Sequence, residues 1–236
     1  MKKYDVGIIG AMDAEVNTLI SHLGKYTSER FGSVTFHTGE LYGRRVVVAK
    51  CGIGKVFAAL CAEAMIVRYN PSVVVNTGVG GALSAGLAPL DVVIADRLCQ
   101  HDMDTSPLGD PKGLVSGVNM IYFEADRTAR ETLLTAAIDM RLGVRIGTIA
   151  SGDRFVALSE DKARIAREFA ADVCEMEGAA IAQVCYVNET PFAVVRAISD
   201  SADGSAEMDY ARFLPKAAKA SADLTLALIK NYPFAK

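Results

Sequence analysis

The stretch CEMEGAAIAQVC, from Cys174 to Cys185, sets two glutamates, Glu175 and Glu177, at the head of an apolar segment. A lone carboxylate buried in such surroundings is costly, so it must change its proton affinity or find a partner. Two more carboxylates hold comparable places. Glu15 follows the apolar run that opens the chain, and Asp200 ends the run AVVRAISD. Each has a plain structural role open to it. Glu15 or Glu177 would favour the positive end of a helix, worth about 0.3–1 kcal/mol, and Asp200 would cap the turn SDSADGS. Yet the segment behind Glu177 has no solvated face, which argues against simple exposure. Carboxylates gathered at one site act as general acids, as general bases and as acceptors for hydroxyl groups.

Gathering them requires elements that end at one edge. Short apolar runs at residues 6–12, 46–51, 73–77, 91–96, 144–150, 173–176 and 192–199 predict strands. Several are continuously apolar, as strands covered on both faces should be. Helical patterns fall between them at 14–23, 55–69, 127–141, 159–169, 177–187 and 209–230. Pro215 predicts that the first turn or two of the last helix is a separate piece. Ser159, followed by Glu160, Asp161 and Lys162, predicts a capped helix start. Strand–helix alternation predicts a mostly parallel sheet with helices on both sides, in a single domain spanning residues 1–236. Ligands of such sheets collect beyond the carboxyl ends of the strands, where Glu15, Glu177 and Asp200 all fall. The one long irregular stretch, residues 105–122, is rich in Gly, Pro and Asp, and a loop of that length in a compact domain is usually functional.

Composition narrows the classes. With 236 residues and 51% hydrophobic, the chain can bury a substantial core. A net charge of −3 without a basic run argues against nucleic-acid or membrane-surface partners. The five cysteines (51, 61, 99, 174 and 185) show no metal-ligand spacing and read as reduced, buried residues of a cytoplasmic protein. The apolar run near the N-terminus is broken by Asp13 and Glu15, so it reads as neither a signal peptide nor a membrane span.

The glycines add a modest signal. GIIGAM lacks the spacing of a dinucleotide fingerprint and the lysine of a phosphate-binding loop. KCGIGKV and NTGVGGAL each follow a strand, where glycine lets backbone approach a ligand closely or simply makes a tight turn.

In order and spacing, GIIGAMDAEV, GIGKV, NTGVGGAL, ASGDRF, EMEGAAIAQVC and VVRAISDSAD resemble the methylthioadenosine/S-adenosylhomocysteine nucleosidases of the nucleoside phosphorylase superfamily. The resemblance runs from about residue 6 to 230. It implies a single-domain α/β/α sandwich with a mixed, largely parallel central sheet, a cytoplasmic homodimer, no metal and no organic cofactor. It also implies hydrolysis of the N-ribosidic bond of a small-molecule nucleoside, in methionine salvage. By the same resemblance Asp200 is the general acid that protonates the purine, oriented by Ser199. Glu15 is the general base that takes a proton from water, with Arg196 positioning that water. Glu177 accepts the ribose hydroxyls, with Met176 against the sugar and the helix N-terminus supporting the charge. Phe155 stacks on adenine, the Val156 backbone reads its edge, and Gly81 brings backbone against the ligand. Met12, Ile53 and Tyr210 line an apolar slot for the thioether.

Two stretches depart from the family pattern. Val79 stands where many relatives have serine, and residues 101–126 differ from the usual aromatic-bearing loop, which in relatives helps close the thioether pocket across the dimer. Three other readings compete. A phosphorylase would carry phosphate-binding groups after the first strand, where this chain has Gly-Ala-Met-Asp-Ala-Glu, and Arg44 and Arg45 read as strand-edge residues instead. An aminodeoxyfutalosine nucleosidase would use nearly the same residues. A non-enzymatic nucleoside-binding protein would be expected to lack at least one of Glu15, Glu177 and Asp200.

Overall fold

The computed structural model describes residues 4–200 and 206–234, and the side chains of 206–209 are outside the description. Residues 201–205, in which the turn after Asp200 was expected, therefore lie outside the described residues.

The apolar runs become strands because their branched residues are covered on both faces. Strands β1 (Tyr4–Gly10), β4 (Arg44–Lys50), β5 (Pro71–Ala82) and β10 (Phe192–Asp200) lie side by side and parallel, in the order β4-β1-β5-β10. Side chains alternate across a strand, and the alternation here divides two cores. Ile9, Val47, Val74 and Val194 face one layer with α2 (Lys55–Tyr69) and α5 (Gly178–Val187). Ile8, Val48, Val75 and Val195 face the other, with α1 (Asp13–His22), α3 (Arg127–Asp139) and α6 (Ala206–Asn231). A mixed sheet between two helical layers is the expected fold class.

The sheet then closes partly on itself. Strand β10 pairs with β5 and, antiparallel, with β6 (Val92–Gln100); β6 pairs with β8 (Val144–Ser151), β8 with β9 (Val173–Glu175), and β9 returns antiparallel to β5. Closure removes the open edges that a short β9 would leave.

Several expectations are corrected. Strands β2 (Tyr26–Phe31) and β3 (Val34–Leu41), antiparallel neighbours that extend the sheet beyond β4, were not expected from the sequence. Strand β2 is exposed along its whole length, so it carries no apolar alternation to announce it. The 105–122 stretch holds a short 3₁₀ turn, Ser106–Leu108, and a bridge between Val115 and Met120, and it leads into β7 (Phe123–Glu124), another strand not foreseen. Helix α4 (Ser159–Phe169) starts where expected but without a side-chain cap. Leu158 holds the capping position, and Ser159 is already helical. Helix α6 is one unbroken helix with Pro215 inside it. The missing N–H of proline is offset by packing against α1, α3, β5 and β10, since tertiary contact overrides local preference. Among the described residues no helix is long and apolar enough to cross a membrane, and all five cysteines are buried and free.

Candidate functional site

The parallel strands end at one edge, and a cavity of about 260 Å3 opens there. Its wall includes Met12, Glu15, Ile53, Gly81, Phe155, Met176, Glu177, Ser199, Asp200 and Tyr210, all named from the sequence. Val156 lies in a smaller adjoining recess that shares Gly81, Phe155 and Asp200.

Glu15 occupies the first turn of α1, and its carboxylate folds back over the end of β1. Oε2 accepts from the Ala11 and Met12 amides at 2.7 and 3.0 Å, and Oε1 accepts from the Val79 amide at 3.1 Å. Burial raises its proton affinity above the ordinary range, opposed by the Arg196 charge and by those three amides. A carboxylate moved toward neutrality is a better proton acceptor near pH 7.

Asp200 is the last residue of β10. The register of β10 on β5 slips between Ile198 and Asp200, a bulge at Ser199 that re-aims the strand end. The Ser199 hydroxyl donates to Asp200 Oδ1 at 2.9 Å, and Lys162 Nζ of α4 donates to Oδ2 at 2.8 Å. Asp200 and Lys162 are 2% and 1% exposed, so this ion pair is fully shielded from water.

The glycines of NTGVGGAL make room for both carboxylates. A Cβ at Gly78 would fall 2.5 Å from Glu15 Oε1, and one at Gly81 would fall 2.8 Å from Asp200 Oδ2. No side chain fits at either place without pushing a carboxylate aside.

Glu175 and Glu177, two residues apart, meet different fates. Glu175 takes the helix end: its carboxylate accepts the Glu177 and Gly178 amides at the start of α5. It also accepts from Ser151 Oγ and from the Arg196 guanidinium. Burial alone would raise its proton affinity, but Arg196, Ser151 and the amides hold it below the ordinary value. Glu177 instead accepts the Gly54 amide at 2.8 Å. That amide can reach it because Gly54 adopts φ +100°, a conformation costly for any other residue. Burial, with the Glu175 charge next, pushes the Glu177 carboxyl up to about 8, while Gly54 and Arg196 oppose the rise. The helix N-terminus was expected to support Glu177; its amides serve Glu175.

Arg196 stands behind the cavity wall. Its guanidinium bonds Glu175, Asn76 Oδ1 and the carbonyls of Asn76 and Val195, and it is 1% exposed. It lies off the cavity surface and acts on Glu15 and Glu177 as a buried charge. Asn76 completes the network by donating to the Ile9 carbonyl at 2.9 Å.

The remaining wall is apolar. Phe155, half exposed, meets Tyr210 edge to face with ring centres 5.6 Å apart. The Tyr210 hydroxyl lies 3.4 Å from the Met12 sulfur. Cys174 also lines the cavity, but burial pushes its thiol up to about 12, so it offers no thiolate near neutral pH. Among the described residues no group of three His, Cys, Asp or Glu side chains forms a metal-ligand set.

Sequence reading missed Lys162, Ser151 and Gly78. A signal for Lys162 existed. It shares the apolar stripe of α4 with Ile165 and Phe169, both buried, and a lysine there has no water to reach.

Residues 5–230 match the phosphorylase superfamily model. The 5'-methylthioadenosine/S-adenosylhomocysteine nucleosidase of Staphylococcus aureus (strain JH9) is 39% identical over 227 residues, 96% of this chain and 99% of that protein. A crystal structure of the nucleosidase of the same name from Neisseria meningitidis, in complex with methylthio-immucillin-A, superposes with a TM-score of 0.93. It is 39% identical and covers 96% of this chain and 99% of that one. The futalosine hydrolase of Helicobacter pylori strain 26695 superposes with a TM-score of 0.92 at 33% identity, covering 96% and 97%. The chain belongs to the phosphorylase superfamily, in its methylthioadenosine/S-adenosylhomocysteine nucleosidase family.

Proposed function

We propose that this protein hydrolyses the N-ribosidic bond of 5'-methylthioadenosine and S-adenosylhomocysteine, releasing adenine and the 5-thio-substituted ribose. It does so as a single nucleosidase domain in the cytoplasm. As the bond between the anomeric carbon and the purine breaks, positive charge builds on the ribose and negative charge on the purine. Asp200 gives its proton to the imidazole nitrogen of the departing base. Water attacks the anomeric carbon and passes its proton to Glu15. Glu177 accepts the ribose hydroxyls, which replace the water its ionised form would need. Phe155 stacks on adenine, the Val156 backbone reads its edge, and Met12, Ile53 and Tyr210 hold the thioether.

The observation that carries hydrolysis over phosphorolysis is the charge of the wall. Glu15, Glu175, Glu177 and Asp200 line the cavity, and none of its described lining residues is Lys or Arg. A phosphate dianion would face these carboxyl groups with no cationic donor among the described lining residues. The likeness to the Helicobacter pylori futalosine hydrolase favours a second reading, aminodeoxyfutalosine as the substrate, cleaved at its N-ribosidic bond.

The test is base release from methylthioadenosine, S-adenosylhomocysteine, aminodeoxyfutalosine and inosine, with and without phosphate, in heavy-oxygen water. Label on the anomeric hydroxyl, independent of phosphate, is the expected result. Ribose 1-phosphate as main product would overturn it.

The working form is a homodimer. Helix α2 exposes Val56, Leu60 and Val67 along one stripe, with Ile53 and Phe57 beside it. Tyr186 and Val187 of α5 are also exposed, and Asn188 Nδ2 donates to Glu63 of α2 at 2.7 Å, joining the two helices at that face. A contiguous apolar face of this kind marks a protein contact, and Ile53 carries it to the cavity rim. Leu60→Glu should give monomer by light scattering; a wild-type monomer with full activity would refute the dimer.

A further inference from the structure

We propose that Lys162 is a positioning residue for leaving-group protonation: held against Asp200, it fixes the carboxyl plane toward the purine and stabilises the carboxylate left once the proton has moved. This role rests on the reading of Asp200 as the general acid.

Four observations carry it. Lys162 Nζ lies 2.8 Å from Asp200 Oδ2, and Ser199 Oγ lies 2.9 Å from Oδ1, so both oxygens are held by separate donors. Both members of the ion pair are essentially inaccessible to water, where a charge interaction is screened least. Gly81, with no Cβ, lets the same carboxylate lie close against β5, where a Cβ would fall 2.8 Å from Asp200 Oδ2. Finally, Lys162 sits one turn into α4, directly after the loop that carries Phe155 and Val156 into the cavity region. The ion pair thus ties the purine-binding loop to the end of β10.

The chemistry follows step by step. The carbon–nitrogen bond to the purine breaks with its electron pair moving to the base. Asp200, protonated before the reaction, gives its carboxyl proton to the imidazole nitrogen and so becomes the carboxylate of the ion pair. That new negative charge forms 2.8 Å from a fixed ammonium, in a dry site that needs no solvent rearrangement. A structural ion pair alone would have no connection to the leaving group.

The leaving group therefore supplies the test. Lys162→Met and Lys162→Arg would be assayed with methylthioadenosine and with the 5-methylthioriboside of p-nitrophenol, whose departure needs no acid. Circular dichroism would monitor folding. Lys162→Met should lose about 10²-fold in kcat on the purine substrate and far less on the nitrophenyl riboside. Lys162→Arg should recover much of the loss, because it keeps the charge. Equal losses on both substrates, or no loss on either, would overturn the proposal. Should Lys162→Met leave Asp200 buried and unpaired and fail to fold, Lys162→Met combined with Asp200→Asn removes both charges. Its residual kcat on methylthioadenosine should equal that of Asp200→Asn alone, and a further drop would refute action through Asp200. Failure of the wild type to hydrolyse methylthioadenosine at all would instead strike the functional reading.

Discussion

Among the described residues, Glu15 is held by three main-chain amides, from Ala11, Met12 and Val79, whereas Asp200 is held by two side chains, the Ser199 hydroxyl and the Lys162 ammonium. Amide donors cannot be removed without moving β1 or β5. They fix a base in place while leaving no full positive charge in contact with it, and burial then raises its affinity for a proton. A side-chain cation instead sets a full positive charge against the carboxylate. The difference suits the two tasks. In the proposed mechanism one group accepts a proton and the other parts with one.

The sharpest break in this comparison is to remove each function separately. Glu15→Gln and Asp200→Asn keep shape and should each lower kcat on methylthioadenosine by about 10²–10⁴. The two should differ elsewhere. Glu15→Gln should still bind the nucleoside, because the pocket is intact and only proton acceptance is lost. Asp200→Asn should recover most on the nitrophenyl riboside, while Glu15→Gln should stay slow on both substrates. Stopped-flow kinetics with the two leaving groups would read this directly, and identical profiles for the two variants would erase the distinction.

A finer test uses the glycines. Gly78→Ala brings a methyl to 2.5 Å from Glu15 Oε1, and Gly81→Ala brings one to 2.8 Å from Asp200 Oδ2. In each case the obstructed atom is a side-chain tip, so folding should survive with a small fall in Tm. Catalysis should not, since a displacement near 1 Å is enough to cost about 10²-fold. Gly78→Ala should be the more damaging. Glu15 must leave three main-chain amides to move, whereas the described donors to Asp200 are side chains. Equal kcat values for the two variants would show that the holding groups are equally stiff.

What was legible in the sequence follows the same physics. The parallel strands around the site were readable because burial on both faces demands unbroken Val and Ile, as in Val73–Val75 of β5 and in Val194 and Val195 of β10. Strand β2 was not, because an exposed strand held by its neighbour needs no pattern of its own. Among site residues, Glu15, Glu177 and Asp200 stood out as carboxylates at strand ends in apolar company. The resemblance supplied the wall around them, including Phe155, Met176 and Tyr210. Arg196 was named to position the water; its bonds to Glu175 and Asn76 were not foreseen, and they arise because a charged residue in the middle of an apolar strand must find partners inside the protein. Lys162 was read only as part of the capped helix start with Ser159, Glu160 and Asp161, and its pairing with Asp200 joins residues 38 apart in the chain.

The smallest expected effect concerns Glu177, the site carboxylate proposed to accept the ribose hydroxyls. Its carboxyl is pushed up to about 8 from an ordinary value of 4.5, with burial the main cause. Below about 4.5 it is protonated in both folded and unfolded chains, and above about 8 it is ionised in both. Between those values the folded protein holds the extra proton, so the stability it contributes is full at low pH and is lost as pH rises toward 8. The slope is at most about 1.4 kcal/mol per pH unit for one proton. Glu177→Gln has no such proton and should show a flatter Tm profile over this window, gaining on the wild type toward pH 8. Binding works against the same equilibrium. Ribose hydroxyls donate to the ionised form, so nucleoside binding at about pH 7 should expel close to one proton. Calorimetry in buffers of different ionisation heat would count it, and Glu177→Gln should lose that release along with part of its affinity. Binding without proton release in the wild type would mean that Glu177 is already ionised in the unliganded protein and that the Gly54 amide and Arg196 outweigh burial.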